Sequence, residues 1–139
     1  MRAFAIGLAA TLAGCATAAP ERVDAPVPVV AGCEGENDPV LMIVAGTTLD
    51  RERMGAYAAA LAESGLYPQT GGEYLNSPRP LEVLEGDVGP EDVALVVRFP
   101  SLCAQRAFWN SDTYQTRIKP MRLNPSAGDY SVVVYPALK

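Results

Sequence analysis

Apolar residues follow strand-like and helix-like spacing in turn from residue 39 onward. Val40 to Ala45 form a continuous apolar run with β-branched residues, which predicts a strand covered on both faces. Asp50 then predicts a helix N-cap, and apolar positions recur every three or four residues until Ser64 and Gly65 end the helix. Those positions are Met54, Tyr57, Ala58, Leu61 and Ala62.

The second half of the chain repeats this alternation. It predicts extended segments over residues 73–76 and 81–84, a strand over 93–99, a helix capped by Ser101, helical turns over 114–121 and a strand over 130–135. The order βαββαβ predicts an α+β fold of the ferredoxin-like type, in which an antiparallel sheet carries both helices on one face. Arg98 apart, the residues predicted for the other face are mostly apolar, so we expect two copies to pack as a homodimer.

The first fifteen residues combine a basic start, an apolar run and the tetrapeptide Leu12-Ala13-Gly14-Cys15. They predict a secretory signal peptide over residues 1–14. The tetrapeptide resembles a bacterial lipobox, in which the cysteine receives a diacylglycerol and becomes the mature amino terminus. With Ala16 next, it resembles lipoproteins sorted to the outer membrane, so we expect an exported, lipid-anchored chain facing the periplasm.

Two other interpretations of this segment remain open. An uncleaved membrane-spanning helix would need roughly 20 residues, and the apolar run is well short of that. Alternatively, Cys15 is an ordinary residue that follows a non-lipoprotein signal, since small residues are expected near any cleavage site.

Three prolines predict a linker before the folded domain. Pro20, Pro26 and Pro28 interrupt residues 15–38, which predicts an extended linker before a domain over residues 39–139.

Net charge and composition limit the classes of partner and cofactor. The net charge of −5 argues against nucleic acid as a partner. The chain contains no histidine, the usual haem and zinc ligand, so we expect no cofactor and no metal site.

The cysteines allow one disulfide. If Cys15 carries lipid, Cys33 and Cys103 remain as partners in an oxidising compartment. We expect the first strand and the second helix to begin at opposite ends of the domain, so the linker would have to run back along the domain to close this bond. Two free thiols and an intermolecular bridge are the alternatives.

Four residues are predicted to line a pocket between the sheet and the late helices, namely Arg98, Trp109, Tyr114 and Arg122. Either arginine would bind a ligand carboxylate or phosphate, and the two aromatic side chains would stack on a ring. Each has a structural alternative, which is an ion pair for the arginines and core packing for the aromatic residues.

The residues leave two classes of function open. One is a lipid-anchored binding or accessory module that holds a small molecule. The other is a cofactor-independent enzyme of the isomerase or monooxygenase type, which would use a tyrosine, an arginine or a carboxylate. The carboxylates of the region are Glu73, Glu82, Glu85 and Asp87, of which Glu73 is also a candidate ligand-binding residue. No pairing of nucleophile and base is visible, so the sequence favours the binding module.

An ordered set of short motifs resembles the family known as domain of unknown function 1330. The motifs are Gly71-Gly72-x-Tyr74, Val83-Leu-Glu-Gly-Asp87, Phe99-Pro-Ser101, Ala107-Phe108-Trp109 with Ser111 and Tyr114, and Lys119-Pro-Met-Arg122. The resemblance covers residues 39–136 and implies a dimeric α+β barrel of ferredoxin-like subunits with no agreed activity. The chain departs from the family pattern in its signal and linker, in Trp109 where tyrosine is commoner, and in Cys103 where a polar residue is usual.

Overall fold

The computed structural model describes residues 30–138. The predicted signal peptide, Cys15 and most of the linker lie outside the described residues. Within residues 30–138 one sheet contains four strands, β1 (Val40–Thr48), β2 (Glu73–Tyr74), β3 (Asp92–Phe99) and β4 (Gly128–Pro136). The helices are α1 (Arg51–Glu63), α2 (Leu66–Thr70) and α3 (Leu102–Trp109), followed by a π-helix (Thr113–Ile118) and a 3-10 helix (Lys119–Arg122). Among the described residues, no helix combines the length and the apolar character that crossing a bilayer requires.

The strand order is β2-β3-β1-β4, and every neighbouring pair is antiparallel. This arrangement confirms the predicted ferredoxin-like α+β fold. β1 pairs with β3 on one side and with β4 on the other, so it is an inner strand, as its continuous apolar sequence indicates.

The segment between β2 and β3 differs from the prediction. β2 has two residues, and residues 81–84, predicted as extended, form no strand. Asn76 gives a physical reason, because its side-chain Oδ1 accepts a hydrogen bond from the Val96 N–H and its Nδ2 donates one to the Ala94 carbonyl, both at 2.8 Å. These are bonds that a longer β2 would supply from its backbone. Beyond Asn76 the chain runs along the surface, where Leu81 and Leu84 are exposed.

Side-chain caps start two of the helices as predicted. Asp50 Oδ1 accepts a hydrogen bond from the Arg53 N–H at 3.0 Å, and Ser101 Oγ accepts one from the Ala104 N–H at 3.1 Å. The predicted turns over residues 114–121 are helical, although they form a π-helix and a 3-10 helix in place of an α-helix. π-helical turns are frequent at functional sites.

The helices cover one face of the sheet. The core between them includes Met42, Val97, Phe99 and Phe108, all nearly inaccessible to solvent. On the opposite face, neighbouring strands present mostly apolar side chains, of which Val133 and Tyr135 are the most exposed large ones. That face carries Leu41, Ile43, Val96, Arg98, Val133 and Tyr135.

A disulfide between Cys33 and Cys103 joins the described part of the linker to the first turn of α3, with the two Cα atoms 5.6 Å apart. Glu36 also contacts this turn, where its Oε2 accepts a hydrogen bond from the Cys103 N–H at 3.2 Å. The expectation that the linker must run back along the domain is wrong. β1 and β3 are antiparallel, so Val40 at the start of β1 is the direct partner of Phe99 at the end of β3, just before α3 begins.

Candidate ligand-binding site

A cavity of about 230 Å³ lies between the helix-facing side of the sheet and helix α1. Alternate residues of β1, β3 and β4 reach it because successive side chains of a strand point to opposite faces. Most of the lining is apolar, with tyrosine hydroxyls and one guanidinium as its polar groups. The apolar side chains are Met42, Val44, Met54, Ala58, Leu61, Pro78, Val93, Leu95, Trp109 and Val132, and the polar ones are Thr48, Tyr57, Tyr67, Tyr74, Tyr114, Arg122 and Tyr130.

Tyr57, Tyr114 and Arg122 form a polar cluster in this lining. The hydroxyl oxygens of Tyr57 and Tyr114 are 3.2 Å apart, within hydrogen-bond distance. The Arg122 guanidinium carbon lies 5.8 Å from the centre of the Tyr57 ring, and the interactions with Tyr57 and Tyr114 stabilise the guanidinium charge. Among residues 30–138, Arg122 forms no ion pair. A half-buried cation therefore faces the cavity with neutral partners alone.

Arg53 holds the segment that carries Arg122. From helix α1 its guanidinium donates hydrogen bonds to three backbone carbonyls, those of Met121 at 2.9 Å, Leu123 at 3.0 Å and Pro125 at 2.7 Å. Two of these residues directly flank Arg122. The position of Arg122 is thus fixed by a side chain that does not itself line the cavity.

Burial controls the ionisation of the polar cluster. It raises the pKa of Tyr57, and the neighbouring Tyr114 adds to this effect. Burial likewise raises the pKa of Tyr67. For Arg122, burial disfavours the charge, but the interactions with Tyr114 and Tyr57 outweigh it and the pKa is raised overall. At neutral pH Tyr57 and Tyr67 are therefore O–H donors, and Arg122 is a cation.

The aromatic wall of the cavity is fixed by further contacts. The rings of Trp109 and Tyr114 have centres 5.2 Å apart, and Lys119 Nζ lies 5.3 Å from the Trp109 ring centre. Lys119 Nζ also donates a hydrogen bond to Gln115 Oε1 at 3.1 Å, and Gln115 Nε2 donates one to the Trp109 carbonyl at 2.6 Å. Tyr114 and Lys119 thus pack against the indole ring, and Gln115 links Lys119 to the Trp109 backbone.

The structure brings three of the predicted pocket residues together. Trp109, Tyr114 and Arg122 all line the cavity. Arg98 does not, because strand alternation turns Val97 and Phe99 toward the helices and Arg98 to the opposite face.

Nor do the predicted carboxylates line the cavity. Glu73 is the direct cross-strand partner of Arg98, and both border a shallow depression beside Pro39. Glu82, Glu85 and Asp87 lie in the exposed segment between β2 and β3. Within residues 30–138 no group of three or more Asp, Glu or Cys side chains converges as a metal site requires.

The sequence pattern does not identify several of the lining residues. It places Tyr57 only on the packing face of α1, although a buried tyrosine hydroxyl needs a hydrogen-bond partner and so signals a polar neighbour. Tyr130 behaves similarly, since its hydroxyl lies 2.8 Å from Thr48 Oγ1. No local pattern pointed to Tyr67, because α2 itself was not predicted.

Comparison with known proteins gives a family and a fold. A family model described as Domain of unknown function (DUF1330) matches residues 39–134. No curated protein matches the chain. Among solved structures, the RPA0582 protein of unknown function from Rhodopseudomonas palustris aligns with a TM-score of 0.55 at 18% identity, covering 74% of this chain and 85% of that one. A methylated form of the RPA0582 protein aligns with a TM-score of 0.54 at 19% identity, covering 75% of this chain and 84% of that one.

Proposed function

The chain belongs to the DUF1330 family, and we propose that it is a small-molecule-binding module whose site is the cavity beside helix α1. The observation that carries this proposal is the Arg122 guanidinium, which faces an apolar cavity together with the hydroxyls of Tyr57 and Tyr114. A concave apolar site with a few converging polar groups is the usual form of a small-molecule site.

The lining is organised in advance for a ligand. Arg53 fixes the backbone on both sides of Arg122, and Tyr114 and Lys119 pack against the Trp109 ring. Groups that are already ordered lose little conformational entropy on binding, so more of the contact energy appears as affinity.

The same residues favour binding over cofactor-independent catalysis. An enzyme that abstracts a proton needs an acceptor whose pKa lies near the working pH. The raised pKa values of Tyr57 and Tyr67 make these side chains donors, and none of the described lining residues is an aspartate or a glutamate.

A lipid anchor at Cys15 places this module at a membrane surface in our proposal, in the outer membrane facing the periplasm. The support comes from the lipobox-like Leu12-Ala13-Gly14-Cys15 and from the disulfide between Cys33 and Cys103, since disulfides persist mainly in oxidising compartments. Metabolic labelling with a radioactive fatty acid tests the anchor. The label should enter the wild-type chain and be absent from Cys15→Ser, whereas labelling of both or of neither contradicts it.

A homodimer through the open face of the sheet is the second part of the proposal. Val133 and Tyr135 on β4 are 43% and 51% exposed, beside the apolar Ile43 and Val96 of neighbouring strands. A contiguous apolar patch of this kind ordinarily marks a partner surface, and a second copy offers the matching patch. In sedimentation velocity, the protein should behave as a dimer at micromolar concentration.

Charged variants make the dimer test specific. Val133→Lys together with Tyr135→Lys should give monomers, while Leu138→Lys, at a residue 97% exposed outside β4, should leave the dimer intact. A wild-type monomer would rule out the proposed dimer.

Native mass spectrometry of the full-length protein extracted from its own membrane tests the binding function. We expect an additional mass that survives purification and disappears in Val132→Phe, which fills the cavity. The control is Leu138→Phe, at an exposed residue outside both the cavity lining and the proposed dimer face, which should keep the additional mass. Loss of the mass in both variants, or no bound mass in the wild type, would contradict the proposed site.

A further inference from the structure

Arg122 is the single charged side chain among the described residues that line the cavity, and it has no carboxylate partner in residues 30–138. A partly desolvated cation is costly when unpaired. Resting on the proposed binding function, we infer that the ligand is a compact monocarboxylic acid built on one ring, with its carboxylate at Arg122 and its ring among the aromatic side chains.

The number of charges selects the class of anion. One guanidinium balances one negative charge, and no second Arg or Lys belongs to the described lining. A phosphate monoester would bring additional negative charge into a largely apolar cavity without a cation to match it. A carboxylate suits the site better because the planar guanidinium can donate two parallel hydrogen bonds to its oxygens.

The hydroxyl groups of the polar cluster have one O–H proton that the hydrogen bond between them does not use. Tyr57 and Tyr114 carry two O–H protons, and the hydrogen bond between their oxygens uses one of them. The other is free to donate to a ligand oxygen. The cluster therefore offers an O–H donor beside an N–H fork, which matches an acceptor-only carboxylate better than a neutral amide, whose NH₂ group needs acceptors.

The volume of the cavity and its aromatic lining indicate the size and type of the rest of the ligand. A cavity of about 150 Å³ is known to hold benzene, so about 230 Å³ accommodates one ring and a short acid arm. The walls supply aromatic surface against which a ring packs favourably. The aromatic lining residues are Tyr57, Tyr67, Tyr74, Trp109, Tyr114 and Tyr130.

Phenylacetate and its uncharged counterpart phenylacetamide test the inference on the purified protein. Trp109 is the single tryptophan of the chain and lines the cavity, so its fluorescence reports occupancy directly. We expect phenylacetate to bind about tenfold to hundredfold more tightly than phenylacetamide, as a hydrogen-bonded charge in a partly buried site implies. Acetate, which has no ring, should not bind measurably.

Variants assign the preference to Arg122. Arg122→Met should reduce the affinity for phenylacetate to that for phenylacetamide and leave phenylacetamide binding intact, which also shows that the cavity still forms. Arg117→Met removes an exposed arginine of the π-helix outside the cavity lining and should change neither affinity. A preference for phenylacetate that persists in Arg122→Met would overturn the inference.

Other outcomes separate this inference from the binding function. Equal affinities for phenylacetate and phenylacetamide would rule out the anionic ligand but leave the cavity as a binding site. Octanoate binding more tightly than phenylacetate would rule out the ring, since Pro78 and Val93 also line the neighbouring groove, into which a straight chain can extend. If no probe binds but a bound mass copurifies, the ligand class is wrong and the binding function stands. If neither is seen, both fail.

Discussion

The guanidinium of Arg53 donates a hydrogen bond to the carbonyl of Leu123, the residue that follows Arg122. Together with its bonds to Met121 and Pro125, this contact joins helix α1 to the segment that supplies the cationic group of the cavity.

Replacing Arg53 should therefore reduce both stability and ligand affinity. Arg53→Met keeps much of the side-chain length but removes all three hydrogen bonds, and we expect the free energy of unfolding in urea to fall by about 1–3 kcal/mol. The control is Arg51→Met, which removes an exposed ion pair with Glu91 and should change stability little. Similar urea midpoints for wild type and Arg53→Met would show that these bonds do not hold the segment.

Gly46 and Gly55 should respond in opposite directions to alanine. Gly46 lies in β1 with φ of 154°, and a Cβ there would collide with the Asp129 carbonyl oxygen and approach the Tyr130 Cα to 2.8 Å. We expect Gly46→Ala to destabilise the protein by about 1–3 kcal/mol. Gly55 lies on the exposed side of α1 with nothing within 4 Å, so Gly55→Ala should stabilise it by about 0.5–1 kcal/mol. Thermal unfolding followed by circular dichroism measures both changes, and a shift of the same sign in each would contradict this prediction.

Removal of the disulfide should cost stability without changing the fold. The bond closes a loop between residues separated by 70 positions. In the chain-entropy account, removing the cross-link that closes such a loop lowers the free energy of unfolding by about 2–4 kcal/mol. We expect this loss in the double variant Cys33→Ser with Cys103→Ser, measured by urea unfolding.

Thiol counting gives the matching chemical test. In the denatured Cys15→Ser protein, no thiol should react before reduction and two should react afterwards. Equal counts before and after reduction would show that Cys33 and Cys103 are not paired.

Stability should decline at alkaline pH because of the buried tyrosines. An exposed tyrosine in the unfolded chain ionises near pH 10, whereas burial raises the pKa of Tyr57 and Tyr67 in the folded protein. Above pH 10 the unfolded state releases protons that the folded state retains, so each such group lowers stability by about 1.4 kcal/mol per pH unit. Their contribution is complete below pH 10 and is lost as the pH rises.

Tyr57→Phe should make this alkaline decline shallower, as measured by urea unfolding at a series of pH values. Tyrosinate absorbance under the same conditions should show fewer groups ionising in the folded wild type than in the unfolded chain. An unchanged slope in Tyr57→Phe would mean that Tyr57 ionises equally easily in both states.

Local patterns in the sequence account for most of the fold. The apolar run beginning at Val40 predicts an inner strand, and Asp50 and Ser101 predict helix caps that the structure contains. These features depend on spacing along the chain. The early end of β2 does not follow from local spacing. It arises because the Asn76 side chain forms hydrogen bonds to the backbone of β3, which lies far along the sequence.

The candidate site can be predicted only in part from the sequence, because some of its contacts join residues that are far apart in the chain. Trp109, Tyr114 and Arg122 lie close together in the chain, and their grouping follows from that proximity. Tyr57 meets Tyr114 only because α1 packs beside the π-helix, a tertiary relationship that no short motif encodes. The residue type of Arg98 suggests a ligand-binding role, but the alternation that places it on the other face of β3 also keeps it out of the cavity.

In the proposed anchored protein, the disulfide between Cys33 and Cys103 also sets the length of the tether between the domain and the bilayer. Residues between Cys33 and β1 belong to the closed loop, so only the chain from Cys15 to Cys33 can span the gap to a bilayer. At about 3.1 Å per residue, an extended stretch of this length reaches about 55 Å. The attachment point lies where β1 begins, whereas Arg53 ties the Arg122 segment to the start of α1, which follows the end of β1. The tether therefore leaves the domain at the end of β1 opposite to the segment that carries Arg122.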